Sequence, residues 1–364
     1  MDILMLASEY PPISGGLANY TYLISRYLSK KYNLEIILPN KKLAGFYGRI
    51  EVLKLIEKLR CAMKRKYDVV YSITFSPHLA ILAKYIKARG CSLVVHGIGL
   101  DVYSNFPTFI FARKILYKIS NKIICGANFQ KNLILKEGCP PNKVSVVIGG
   151  VDTSKFKSID QNIRNKYNLN NKFIILSIGR LIKRKGFDTA IKAMGYLRDV
   201  KDALLVIVGD GPEKLNLIKL TKKLSLERKV MMLGYLPDED IPKIYSAADV
   251  LVAPFRVLGK DLEGFPLVLQ ESQASGTPVI TTSTAGIPDL VDDGKSGYLV
   301  SPESVKEIAN KILILYEDRK LLKKMSKYAR KWAVERLDYK VLGKNIERIL
   351  QNTLNRGEKY EKYN

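Results

Sequence analysis

Residues 144–186, VSVVIGGVDTSKFKSIDQNIRNKYNLNNKFIILSIGRLIKRKG, decide the fold. An apolar, β-branched run from Val144 to Ile148 stops at Gly149-Gly150, and a polar stretch continues through Ile159. A second run, Phe173 to Ile178, then leads through Gly179 and Arg180 into a helical pattern that starts near Phe187. One strand series ends here and another begins, so a domain boundary is expected near residue 156.

Working outward, the same alternation fills both flanks. Upstream, strand-like runs at Ile3 to Ala7, Leu34 to Leu38, Val69 to Ile73, Leu93 to Val95 and Lys122 to Cys125 are each followed by a helical stretch. Downstream, the runs are Leu204 to Val208, Val230 to Leu233, Val250 to Ala253, Pro278 to Thr281 and Tyr298 to Val300. Such β/α alternation specifies an α/β chain with two doubly wound parallel sheets, helices covering both faces of each. Beyond Ser301 only helical periodicity remains, in three segments around Ile308 to Leu315, Leu321 to Trp332 and Leu342 to Leu350; the polar end NRGEKYEKYN reads as frayed. The expected domains are 1–156, 157–340 and a terminal helical segment, 341–364. At 364 residues the chain is long enough for two cores.

Composition narrows the class. A hydrophobic fraction of 47% with 26% charged residues excludes a disordered or low-complexity chain. Four cysteines without CxxC spacing, beside two histidines, support neither a disulfide framework nor a structural zinc site, so a reducing cytoplasm is expected. The opening MDILMLASEY carries Asp2 and Glu9 around a short apolar stretch and reads as a buried strand, not a secretory signal. No uncharged run approaches the roughly 18 to 20 residues of a membrane span. The charge is lopsided: 60 Lys and Arg against 35 Asp and Glu give +25, and residues 1–150 alone hold 22 basic and 8 acidic side chains. That excess points to phosphate-bearing partners, whether nucleotide, nucleic acid or anionic lipid.

Three places carry candidate chemistry. Gly15-Gly16, between the first strand and a helical stretch, suit a loop whose N–H groups approach an anion, although an ordinary βα turn explains them equally well. Neither GxGxxG nor GxxxxGK[ST] is present. Arg180 and Lys185 follow the Phe173 to Ile178 strand, where doubly wound sheets bind ligands, so they are placed to clamp a diphosphate. In Glu263-Gly264-Phe265-Pro266-Leu267-Val268-Leu269-Gln270-Glu271 two glutamates are eight positions apart, with Pro266 expected to open a helix. By helical rise they stand up to about 12 Å apart, too far for the carboxylate pair of a retaining glycosidase, so they are expected to contact different parts of one extended ligand.

With these residues the chain resembles the family 4 (group 1) retaining, nucleotide-sugar-dependent glycosyltransferases. The likeness runs from Gly15-Gly16 to the last helices. Glu263 to Glu271, with Ala274-Ser275-Gly276-Thr277-Pro278 behind it, is its most specific part. Gly179-Arg180-Leu181, Lys185-Gly186, Gly209-Asp210-Gly211-Pro212, Ala248-Asp249-Val250 and Gly286-Ile287-Pro288 support it. The resemblance implies two Rossmann-like domains facing a cleft, the GT-B type, with the final helix returning to the first domain. It implies that Arg180 and Lys185 hold the donor diphosphate, Glu263 the donor sugar and Glu271 the ribose, and that backbone N–H groups of Gly264, Phe265, Pro266, Leu267 and Val268, wherever one exists, border sugar or phosphate. Gly15 and Gly16 become an anion loop. His96, at the end of the Leu93 to Val95 strand, becomes a catalytic residue near the donor sugar in place of a packing histidine.

The implied reaction moves a hexosyl group from a UDP- or GDP-sugar to a lipid-linked or cell-surface glycan with retention. Leaving-phosphate charge is stabilised by Arg180 and Lys185, without a covalent enzyme intermediate. No cofactor and no metal are expected: Asp238-Glu239-Asp240 matches a metal-binding DxD only formally and reads as the N-terminal cap of a helix. Residues Arg49 to Lys66 form a basic amphipathic pattern, and Asn105 to Ser120 carries two apolar stripes beside Lys114 and Lys118, one for the core and one for an acceptor or an anionic membrane. The expected location is the cytoplasm, free or at the inner face of the cell membrane. Two rivals remain: a nucleotide-sugar epimerase on the same architecture, and a nucleic-acid-binding protein. No nucleic-acid motif is present, and nucleic acid is not expected as a partner.

Overall fold

The structure, a computed structural model, describes residues 1–12, 15–38, 49–157, 162–259 and 261–361. Ile13 and Ser14 of the glycine loop and residues 158–161 ahead of the second strand series lie outside them. The chain divides into two compact units, Met1–Gly150 with Tyr339–Asn364, and Val151–Asp338. The division falls at Gly150, ahead of the expected residue 156, and the final helix belongs to the first unit.

The first unit holds strands β1 (Asp2–Ala7), β2 (Asn33–Ile37), β3 (Val69–Ile73), β4 (Ser92–Gly97), β5 (Lys122–Cys125) and β6 (Val144–Val146), all parallel, in the order β2-β1-β3-β4-β5-β6. Strand order reverses between β1 and β3, so the loops after these two strands flank the crevice where such sheets take ligands. Every residue of β3 is buried, which is why it reads as one unbroken apolar run.

The last helix, Tyr339–Glu361, completes this unit and runs through much of the stretch expected to fray. Leu342, Ile346 and Leu350 are fully buried along one face. A Cβ on Gly343 would lie 2.3 Å from the Tyr27 ring, so only glycine permits this approach to the helix Gly16–Leu28. Glu347 then takes hydrogen bonds from Tyr27 at 2.7 Å, Tyr32 at 2.6 Å and Lys31 at 2.9 Å. Burial pushes its carboxyl up, but Lys31 and the two tyrosines prevail and hold it down at about 2.

The second unit holds β7 (Phe173–Ile178), β8 (Ala203–Val208), β9 (Val230–Gly234), β10 (Val250–Ala253), β11 (Val279–Thr282) and β12 (Gly297–Val300), again all parallel, in the order β12-β11-β10-β7-β8-β9. Its reversal point lies between β7 and β10. Both chain crossings between the units meet at one place in this unit: Val151 N–H donates to Leu337 C=O at 3.1 Å, and Thr153 Oγ1 donates to Asp338 Oδ2 at 2.5 Å.

Two expectations need correction. The core face of Asn105 to Ser120 differs from both expected stripes: the helix Pro107–Ile119 buries Ala112, Arg113, Leu116 and Tyr117 and packs Ile115 partly against the core, while Phe106 and Phe111 are 59% and 67% exposed. Arg113 tolerates full burial because Glu137 pairs with its guanidinium at 2.6 and 2.7 Å and two backbone carbonyls, of Asp101 and Ser104, accept from its Nη1. Asp240 does precede a helix, Ile241–Ala247, but its carboxylate caps nothing. It accepts instead from Lys166 at 2.5 Å and Tyr167 at 2.6 Å.

Candidate active site

The charged site lies at the reversal point of the second sheet, where the loops after β7 and β10 are bound together. Gly186 has φ 69°, and a Cβ there would lie 2.0 Å from the Pro254 carbonyl, so glycine is required for the two loops to touch. Arg256 N–H donates to Arg184 C=O at 2.9 Å across the same seam. Close backbone contact fixes the β7 loop with its cationic side chains at the carboxyl end of the sheet.

Lys185 Nζ stands 2.8 Å from Glu263 and 4.8 Å above the Phe255 ring. Arg184 also pairs with Glu263 and lies 2.8 Å from Asp261. Lys185, Arg184 and Glu263 are each less than a fifth exposed, so these pairs are screened far less than surface ones. Arg180 is exposed at the start of the same loop. Of the two expected diphosphate ligands, the structure therefore holds Lys185 against Glu263 and leaves Arg180 turned to solvent. Sequence reading missed Arg184 and Asp261; three consecutive cations, Lys183 to Lys185, carry no signal of which one a distant carboxylate selects.

The helix after this loop spans Leu267–Ala274, one residue later than expected: Pro266 is its N-cap, and no side chain caps it. Its first N–H groups thus lack an intrahelical partner, the usual condition for anion binding. Gly264 and Pro266 are buried, with Phe265, Leu267 and Val268 half-buried at the helix start. Glu271, inside the helix, accepts from Tyr245 Oη at 2.8 Å. Burial pushes its carboxyl up, opposed by Tyr245, Lys155 and Lys185. Lys185 is thus within electrostatic reach of both glutamates.

In the first unit, Gly15, in the loop that follows β1, is the N-cap of the helix Gly16–Leu28, which also lacks a side-chain cap. His96 lies in β4 and is fully buried. Its Nδ1 is 2.7 Å from Tyr71 Oη and its Nε2 3.4 Å from Tyr20 Oη. Burial pushes the imidazole down to about 3, so it is neutral at physiological pH and cannot act as an acid there. Both ring nitrogens thus face tyrosine hydroxyls, an arrangement that suits a hydrogen-bonded packing histidine.

Among the described residues no group of three His, Cys, Asp or Glu could hold a metal ion, and no helix is long and apolar enough to cross a membrane.

Residues 159–332 match the family described as glycosyl transferases group 1. The chain is 31% identical over 300 residues, 77% of its length and 74% of the relative's, to the UDP-Gal:alpha-D-GlcNAc-diphosphoundecaprenol alpha-1,3-galactosyltransferase of Escherichia coli. It is 26% identical over 380 residues, 96% of this chain and 98% of the relative, to the GDP-mannose-dependent alpha-(1-6)-phosphatidylinositol monomannoside mannosyltransferase of Mycolicibacterium smegmatis. Its fold is similar to that of Anabaena HepE, crystallised with UDP, at a TM-score of 0.81 and 22% identity, with 97% of this chain and all of the other covered.

Proposed function

The chain belongs to the group 1 glycosyltransferases, and from that premise we propose that it moves a hexosyl group from a UDP- or GDP-sugar to a lipid-linked or cell-surface glycan, retaining anomeric configuration. One observation carries the donor site: Lys185 and Glu263 meet at the reversal point of the second sheet, 2.8 Å apart. A cation for phosphate and a carboxylate for sugar hydroxyls are what the diphosphate and the sugar of a nucleotide sugar require.

As the glycosidic bond breaks, negative charge grows on the departing nucleoside diphosphate, and Lys185 and Arg180 stabilise it. The acceptor hydroxyl attacks from the face the phosphate leaves and gives its proton to the departing phosphate oxygen, so no enzyme-bound sugar is formed. Glu263 holds sugar hydroxyls and Glu271 the ribose, while the uncapped helix start at residues 264–268 faces sugar or phosphate. In the first unit the uncapped start at Gly15-Gly16 serves as an anion contact. His96, buried and neutral, supports the β4 end through Tyr71 and Tyr20 and transfers no proton.

A thermal-shift panel of UDP, GDP, ADP and their sugar conjugates, with EDTA or Mg²⁺, tests this reading, since a ligand of the native state raises the midpoint. A shift with UDP or GDP, unaffected by EDTA, is expected. Shifts with RNA or DNA alone would overturn it. No observation favours the epimerase.

Exposed Phe106 and Phe111 beside exposed Lys114 and Lys118 support a cytoplasmic protein that rests on an anionic membrane surface to reach a lipid-linked acceptor. Of the basic helix, Arg49–Ala62, the side chains at 49–53 and 55 lie outside the described residues, and Lys54, Lys58 and Arg60 are exposed. Flotation with liposomes that carry phosphatidylglycerol, but not with neutral ones, is the expected result.

A further inference from the structure

We propose that Arg184 and Asp261 form a positioning pair that holds Glu263 for the donor sugar, so that they govern discrimination between a nucleotide sugar and the bare nucleoside diphosphate. This rests on the donor-site reading above. Glu263 has two cationic partners, and they are not equivalent. Lys185 pairs with one carboxylate and leans on the Phe255 ring. Arg184 is shared between two carboxylates, Glu263 and Asp261, the latter at 2.8 Å.

A diphosphate entering the loop competes for these cations. The ammonium of Lys185 is a flexible point charge with one ionic partner to give up, and Arg180 is already exposed. The planar guanidinium of Arg184 must abandon two carboxylates to follow, and its fork geometry suits paired acceptors. Phosphate therefore takes Lys185 and Arg180, whereas Arg184 stays with Glu263 and becomes its remaining anchor at the moment the sugar arrives.

The backbone fits this division of labour. Arg184 C=O is tied to Arg256 N–H, which fixes the root of its side chain. Asp261 sits on a tight turn in which Leu258 and Asp261 exchange backbone hydrogen bonds of 2.9 and 3.0 Å. Asp261 itself is 57% exposed, so its replacement leaves the core untouched.

The test measures calorimetric dissociation constants of full-length Asp261→Asn, Arg184→Lys and Arg184→Ala for UDP, GDP, UDP-glucose, UDP-galactose and GDP-mannose. The expected result is a split. Affinity for the sugar conjugate that binds falls about tenfold, roughly 1.4 kcal/mol, while affinity for its nucleoside diphosphate stays within about twofold. Arg184→Lys, which keeps the charge but loses the fork, should fall less than Arg184→Ala. Equal loss for both ligands would make Arg184 a phosphate ligand and overturn the proposal. Unchanged affinity for both would reduce the pair to a surface tie and also overturn it. If the wild-type protein binds no nucleoside diphosphate, the donor-site reading has failed and this inference with it.

Discussion

The two sheets reverse their strand order in the same way but furnish the crevice differently. Around β7 and β10 the second unit sets Arg184, Lys185, Glu263 and Asp261 into an ionic cluster on loops locked by Gly186. Among the described residues of the first unit, the strand ends carry instead an uncapped helix start at Gly15 and a neutral histidine enclosed by two tyrosines. One crevice is built from charge that a ligand must rearrange, the other from backbone and packing. Substitutions should accordingly damage turnover in the second unit and stability in the first.

The largest effect that sharpens this contrast is expected from Lys185→Ala. Loss of one group that stabilises leaving charge costs about 10²- to 10³-fold in kcat, with a urea midpoint close to wild type. Steady-state rates on the identified donor check it, and near-normal turnover would remove Lys185 from the chemistry. Next comes Tyr71→Phe, which strips the 2.7 Å partner from His96. A buried polar atom left without its hydrogen bond costs about 1–3 kcal/mol of stability, read from urea unfolding. A turnover defect with normal stability would instead give His96 a direct part in catalysis.

A smaller effect concerns acid. Glu347 is held at about 2, below the usual carboxylate range, so its share of stability is full above the unfolded value near 4.5 and fades as pH falls towards 2. Glu347→Gln should flatten that acid limb in thermal melts from pH 5 to 2. The smallest expected change is none at all. With His96 at about 3, the ionisation of this imidazole should leave no mark on kcat/KM between pH 5 and 8. A step near 6.5 that vanished in His96→Gln would break the comparison.

Much of this was legible in the sequence. Central strands such as β3 and β8, buried along their whole length, leave uninterrupted apolar runs, and the glycines and Pro266 mark where they turn into loops and helices. The glutamate spacing was readable because both members lie close together in the chain. What escaped depends on partners far apart in sequence. Arg113 looks like any helix cation until Glu137 and two carbonyls enclose it. Nothing near His96 announces Tyr20 and Tyr71, and nothing near Arg184 announces Asp261. Asp240 resembled a cap because its local sequence permits one; Lys166 and Tyr167 compete for the carboxylate and win.

The return of Tyr339–Glu361 to the first unit has a consequence for how the protein is made. The second unit is an insertion within the first, so the order of completion inverts the order of synthesis. On the ribosome, residues 151–338 have all their partners before the opening unit has its last helix. Until then the face of Gly16–Leu28 that receives Gly343 stays bare, and Lys31, Tyr27 and Tyr32 await a carboxylate. A chain stopped shortly after Asp338 would carry a finished second unit and an unfinished neighbour, an apolar invitation to chaperones and aggregation.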